Sequence, residues 1–446
     1  MELKRQLGLA SAILIIIADV IGTGIFITTG SVLGMTQNAL TVIVLWSLGG
    51  LTAITGSLCY AELATMWPDD GGEYLYLKKI YGFLPAFLTG WISITVGFTA
   101  SIAATSLTLV WYLKEFFTAF PQAELTQKLI AASFILFFGF LHILGLKKGS
   151  LVQNILTIIK LLIVFSLIIF GFICIDWGLS SRITSSAGAS GNVGIGTYGI
   201  ALLIIMFAYS GWNGSSYIAG EIKNPQKNLP KAMFFSALAI TIIYVLLNIV
   251  FLMSSPAEQL TASHATAATA ASNLFGTRIG SFLTLAVAIV LVSAVSVQMM
   301  IGPRVYYAMA RDGLIFSKLS RINPKFNTPD LAIATQMVIA TIYVFIGKNN
   351  IESLLAYMGF SLGIFPLMAV IGMLIMRFKN PDMPRPFKSP FFPLIPVIYI
   401  VFTAGMMTAS LIMWTKTSLF AVGILCLGIV IYFIWRAIGG GKNNSG

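Results

Sequence analysis

The chain has 446 residues, 57% of them apolar on the widest count and 9% charged, against roughly 25% charged in an average soluble domain. With a mean hydropathy of +0.91, that composition excludes intrinsic disorder, which needs low hydrophobicity and high charge. It also excludes a water-soluble globule, which needs far more charge to wet its surface. The net charge of +12 would suggest nucleic acid on a soluble protein. Here the charges sit in short loops between apolar runs, so membrane topology accounts for them and no nucleic-acid partner is expected.

One membrane-spanning helix takes about 20 residues. Apolar runs of that order fall at 9–35, 40–66, 83–113, 129–146, 151–175 and 195–219, then at 231–253, 279–308, 331–347, 351–376, 391–414 and 418–437. The expected fold is an all-α membrane protein with twelve transmembrane helices in a lipid bilayer. A Thr/Ala-rich stretch at 256–275 is too polar to span and reads as a loop helix on an outer face, and 438–446 reads as a flexible tail. Lys4 and Arg5 lead into the first run with no small-residue cleavage site, so no cleavable signal peptide is expected.

With the N-terminus placed in the cytoplasm, twenty of the 27 basic residues fall on the cytoplasmic side, six, including Arg182 and Lys348, on the other, and Lys160 lies within a run. This asymmetry follows the positive-inside rule and predicts both termini cytoplasmic. The cysteines, Cys59, Cys174 and Cys426, lie in or at the ends of apolar runs with no metal or CxxC spacing, and read as apolar packing residues. Two histidines, His142 and His264, fall towards opposite sides. No Ser/His/Asp cluster, zinc spacing or phosphate loop accompanies them, so no enzyme activity, cofactor or metal is expected.

Two runs carry glycines where a helix should continue: Ile21-Gly22-Thr23-Gly24-Ile25-Phe26 and Phe207-Ala208-Tyr209-Ser210-Gly211-Trp212-Asn213-Gly214. They occupy the first and sixth runs, one five-helix unit apart. Five is odd, so equivalent helices of the two units run in opposite directions. Paired interruptions of this kind point to a transporter's central site. At Gly22, Thr23 and Gly24, a helix that stops in the membrane leaves amides without partners, and these attract a carboxylate. The carbonyls of Val20 and Ile21, freed by the same break, are candidates to accept from an ammonium. A nucleotide loop is excluded, because Ile27 stands where GxGxxG needs its third glycine.

Four stretches carry a specific resemblance: IGTGIF at 21–26, GGEYLYLKKIYG at 71–82, Tyr209-Ser210-Gly211-Trp212-Asn213 with GEIKNPQKNLPKAM at 220–233, and PRVYYAMARDG at 303–313. The chain resembles the amino acid–polyamine–organocation superfamily, and within it the L-type amino acid transporter family. The resemblance implies the inverted five-plus-five repeat of the leucine-transporter fold: residues 1–175 as the first repeat, broken near 21–25, and 195–377 as the second, broken near 208–214. Two extra helices over 391–437 are appended.

It also implies roles for single residues. The carbonyl of Phe207 is the sixth-span counterpart of the freed first-span carbonyls, and the Phe207 ring matches an aromatic that closes over substrate from outside. Ser210 matches a side-chain pocket position where transporters of large substrates tend to have glycine, so small substrates are expected. Asn213 either orients substrate or braces the unwound backbone. Tyr244 matches a tyrosine that cooperates with a fifth-span lysine.

That lysine is Lys160, about 15 Å up its helix from the cytoplasmic end, too deep to snorkel out. An ionisable group there is a functional candidate by default. In the family such a lysine replaces a sodium ion, and its ammonium can reach carbonyls near Ala18. Asp19 departs from the family pattern and leaves three readings open: a salt bridge with Lys160, coupling to protons, or attraction of a cationic group. Glu62 is expected to be a gate or loop-anchoring contact near Lys78 and Lys79, its charge accounted for by nearby water.

The expected function is a sodium-independent alternating-access transporter that exchanges small neutral L-amino acids, namely alanine, serine, threonine, glycine and cysteine. The alternatives are a proton-coupled symporter and an amino-acid-sensing protein on the same fold. The loop at 114–128 has no cysteine, so no disulfide-linked heavy subunit is expected, and the resemblance points to a bacterial-type protein of the cell (inner) membrane.

Overall fold

The structure is a computed structural model that describes residues 3–117, 119–177, 193–263, 265–346 and 351–438, the side chains of 351–362 and 417 excepted. Arg182, His264, Lys348 and the expected tail from 439 onward lie outside the described residues.

A helix stands at each of the twelve apolar runs. In chain order these are α1 (Leu9–Val20) with α2 (Thr23–Thr36), α3 (Ala39–Met66), the short α4 (Glu73–Tyr81), α5 (Phe83–Ile92) with α6 (Thr99–Phe116), α7 (Glu124–Ile143), α8 (Leu146–Cys174) and α9 (Ile195–Ala208). Then follow α10 (Pro225–Ser254), the short α11 (Ala257–Ala262) and α12 (Thr266–Phe275), α13 (Thr277–Ile301) with α14 (Pro303–Arg311), α15 (Asp330–Ile346), α16 (Ile351–Lys379), α17 (Leu394–Met413) and α18 (Thr415–Ala437). In lipid a helix satisfies every backbone group internally, which is why each apolar run takes this form. Among the described residues, 8 helices are long and apolar enough to cross a membrane, or 9 with the bent pair α1–α2 counted as one span.

The breaks fall where glycine weakens the helix. α1 and α2 are bent by 42° across Ile21 and Gly22. α9 ends at Ala208, and the chain turns through Gly211 at φ +96 before a 3-10 helix, Gly214–Glu221. Glycine is required at 211 twice over: the backbone is left-handed, and a Cβ there would stand 2.6 Å from an Asp19 carboxylate oxygen. A third irregularity lacked a sequence signal. Between α5 and α6 one turn, Ser93–Gly97, widens to a π-helix, a form that recurs at functional sites.

The polar 256–275 stretch makes two short helices rather than one, and α11 seats on α2. The loop before α4 folds back against the 3-10 helix: a Cβ on Gly72 would meet the Tyr217 ring at 2.7 Å. The same end of the molecule gathers several ties. Gln6 and Leu7 donate to the carbonyl of Glu221, and Lys223 donates back to that of Leu7. Lys78 pairs with Asp312 at 2.5 Å, Tyr74 donates to the other oxygen of that carboxylate, and fully buried Arg304 pairs with Glu221 at 2.7 Å.

Two expectations are corrected here. Glu62 does anchor a loop, but it is buried, and the loop is the one at Arg385 and Ser389 and not the one near Lys78 and Lys79. Arg377 grips both its oxygens at 2.8 and 2.6 Å, Arg385 lies at 3.3 Å, and the Ser389 amide donates at 2.8 Å. A carboxylate with this many donors is held by the protein, not by water. Of the cysteines, Cys59 is buried as expected of a packing residue, but Cys174 and Cys426 are exposed on the outside of their helices.

Candidate functional site

Unwinding at Ile21–Gly22 frees carbonyls that a continuous helix would use. Lys160, on α8, spends its ammonium on two of them, donating to Ala18 O at 2.8 Å and Ile21 O at 2.5 Å, and its side chain is fully buried. Tyr244, on α10, sets its hydroxyl 2.7 Å from Val20 O and 3.1 Å from Ala208 O. One hydroxyl therefore joins the end of α1 to the end of α9, bridging the two breaks.

These contacts change the expected inventory of free acceptors. Val20 O takes the Gly22 amide at 2.8 Å as well as the tyrosine, which uses both lone pairs. Ile21 O has Lys160 on one lone pair and the other remains. Phe207 O accepts the Ser210 amide at 3.0 Å in a turn. The amides of Thr23, Gly24 and Ile25 open α2 and, as first-turn amides, have no acceptor within that helix.

A polar cavity of about 90 Å³ lies between the breaks, walled by Asp19, Ser210, Gly211 and Asn213, by Glu73 and Tyr217, and by Ser93, Gly97 and Phe98 of the widened turn and its flank. It is well above the size that holds one water. Of the residues singled out from sequence, Asp19, Ser210 and Asn213 come together on this wall. The lining does not extend to Gly22, Thr23 and Gly24. Gly22 and Thr23 are partly accessible, while Val20, Ile21 and Gly24 are buried. A second, apolar cavity is walled by Phe207, Met206, Met406, Met407 and Tyr399. Ser210, Trp212 and Pro366 line both cavities and partition them.

Asp19 and Lys160 do not form the ion pair that was one expectation. Lys160 is taken up by backbone carbonyls, and the Asp19 carboxylate leans the other way, over Gly211 and Gly214 and beside Gln298. Asn213 donates its amide to Glu73, bracing the break against the loop helix α4. Glu73, Tyr217 and Gln298 were missed. The last two look like ordinary polar residues in the sequence, and Glu73 falls outside every apolar run. Among the described residues no three His, Cys, Asp or Glu side chains gather as a metal would need.

A family model described as amino acid permease matches residues 7–436. Over 440 residues the chain is 33% identical to the "b(0,+)-type amino acid transporter 1" of Mus musculus, covering 97% of this chain and 88% of that one. The Homo sapiens protein of the same name gives the same figures. The "Large neutral amino acids transporter small subunit 2" of Homo sapiens is 32% identical over 438 residues, covering 97% of this chain and 80% of the relative. A match over nearly the whole chain, agreeing with the motifs at both helix breaks, leaves one conclusion: the chain belongs to the amino acid permease family of the amino acid–polyamine–organocation superfamily, in its L-type transporter branch, a family of membrane transporters and not of enzymes.

Proposed function

We propose that the protein is a sodium-independent, alternating-access exchanger of small neutral L-amino acids, with twelve spans, an inverted five-plus-five repeat and both termini in the cytoplasm of a cell whose plasma membrane it occupies. The observation that carries the reading is the coupling of the two broken helices: Lys160 and Tyr244 hold the carbonyls of Ala18, Val20, Ile21 and Ala208 beside the cavity that Asp19, Ser210 and Asn213 line. Substrate held between such breaks is bound by groups that must move together when either half tilts. The Lys160 ammonium stands against the first-span carbonyls and repels sodium from that position. The chain acts without a disulfide-linked heavy subunit on this reading, since the loop at 114–128 offers no cysteine.

The relatives' names speak of b(0,+)-type transport and of large neutral amino acids. The small-substrate reading for this chain rests on Ser210 and on the modest size of the cavity. Radiolabelled alanine uptake into liposomes, with and without internal amino acid and across an amino acid panel, tests the whole proposal. Internal substrate is expected to accelerate uptake. A sensor would bind alanine without flux, and preference for tryptophan or arginine over alanine would overturn the substrate class. A proton-coupled mode is the second reading, favoured by the Asp19 carboxylate on the cavity wall. Comparable uptake into empty liposomes under a proton gradient alone would replace exchange by symport.

Two substitutions sharpen the reading. Ser210→Gly removes a side chain from the partition between the polar and the apolar cavity. Leucine and phenylalanine are expected to become competitors of alanine uptake, and an unchanged competition profile would count against the role of Ser210. Tyr244→Phe removes the hydroxyl shared by the two breaks and leaves buried carbonyls with fewer donors, at about 1–3 kcal/mol. Exchange is expected to fall about tenfold or more, since 1.4 kcal/mol is a factor of ten, with the protein still folded. Wild-type exchange in Tyr244→Phe would show the bridge to be idle.

A further inference from the structure

Glu73 opens a short helix outside the spans, yet its side chain is only 6% exposed and lines the polar cavity together with Asp19. The glycine pair before it makes this possible: Gly71 at φ +113 and Gly72 at φ +53 turn the loop so that the first residue of α4 points inward. There it accepts from Asn213, whose amide also lies 3.4 Å from the Tyr217 hydroxyl. The Tyr60 hydroxyl, on fully buried Tyr60 of α3, lies beside the same carboxylate and has no other partner among the described residues.

The groups that face Glu73 are all hydroxyls, an amide or an acid: Tyr60 from α3, Tyr76 from α4 itself, Asn213 and Tyr217 from the second break, Tyr399 from α17, and Asp19 across the cavity. Among the described residues no lysine or arginine pairs with it. Lys78 pairs with Asp312, Arg304 with Glu221, and Lys160 with backbone carbonyls.

We propose that Glu73 is a proton-binding site of the central cavity, its occupancy linked to amino acid binding through Asn213 in the second break. The inference rests on the transporter reading and adds to it a second, protonatable carboxylate. A zwitterion brings one ammonium and one carboxylate into a cavity that already holds two carboxylates. When the site closes and water leaves, one proton on Glu73 relieves the excess negative charge. The protonated carboxyl can donate to the Tyr60 oxygen while still accepting from Asn213, so the brace on the broken helix survives the change. Proton and zwitterion therefore favour each other. Burial pushes the Glu73 carboxyl up to about 7, which puts the neutral form below that value, the charged form above it, and the change within the physiological range.

The test is alanine counterflow in liposomes at equal pH on both sides, from about pH 6 to about pH 8. The half-saturating alanine concentration is expected to be lower at acid pH by about three- to tenfold, with its inflection near the Glu73 value, as linkage requires. Glu73→Gln copies the neutral form and keeps an oxygen for Asn213, so its half-saturation should be pH-independent and match the acid-limb wild type. A merely bracing carboxylate would leave the pH profile of Glu73→Gln like that of the wild type, and that result overturns the proposal. So does loss of the inflection in Asp19→Asn with its retention in Glu73→Gln. If Glu73→Gln does not fold, Glu73→Asp draws the carboxyl back from Tyr60 and Asn213 and should move the inflection; an unmoved inflection overturns the proposal equally. Absence of wild-type flux at every pH would sink the transporter reading, whereas normal flux with pH-independent affinity would sink this inference alone.

Discussion

Lys160→Ala is expected to lower alanine exchange by at least about tenfold while leaving the protein folded. The ammonium donates to two carbonyls, Ala18 O in the last turn of α1 and Ile21 O at its end, where the first span unwinds. Without it both are buried and lack that donor, at about 1–3 kcal/mol each. The local remedy is to rewind the helix or to bend it differently, and either alters the 42° geometry on which the site is built. The cost falls on the break and not on the bundle, because the lysine head makes no other hydrogen bond or ion pair among the described residues. Apparent affinity should change more on one side of the membrane than on the other, since the break must hinge between the two open states. Sodium is expected not to stimulate the wild type, because the ammonium repels it. Full exchange by Lys160→Ala in liposomes, or strong sodium dependence of the wild type, would refute the assignment.

The lysine was legible in the sequence because a charge deep in an apolar run has no cheap explanation. Both breaks were legible for a similar reason: Gly22, Gly24 and Gly211 interrupt long apolar runs that otherwise read as continuous membrane-spanning helices. What could not be read was direction. Asp19 and Lys160 are opposite charges at similar depth, so pairing was a natural expectation. Successive helix residues point about 100° apart, and the unwound turn offers Lys160 carbonyls that only a three-dimensional break creates. Asp19 is left facing Gly211 and Gly214. The partners of Glu62 were out of reach for want of topology: Arg377 and Arg385 are more than 300 positions away in the chain. Glu73 was hidden in the same way. Beside Lys78 and Lys79 it reads as one more charge on a wetted loop helix. Only the turn through Gly71 and Gly72 carries it into the cavity.

Gly24→Val is expected to abolish exchange, and Gly24→Ala to reduce it about tenfold, on the scale of 1–3 kcal/mol that overpacking a close contact costs. A Cβ at position 24 would stand 2.5 Å from both the Cα and the Cβ of Ala208. Gly24 is the second residue of α2 and Ala208 the last of α9, so the contact joins the two half-helices at their broken ends. The obstacle includes backbone and cannot swing aside like a flexible side chain. One half-helix must back away, which pulls Ala208 O from the Tyr244 hydroxyl, now 3.1 Å away, and displaces the first amides of α2. The rest of each span packs through other residues, so a correctly folded but inactive protein is expected on size-exclusion chromatography in detergent. The double variant Gly24→Ala with Ala208→Gly separates this account from a general loss of stability. It removes the Cβ–Cβ clash but leaves the Cα, so activity should recover only in part. Wild-type counterflow in Gly24→Val would mean that the two broken ends are not held together during transport.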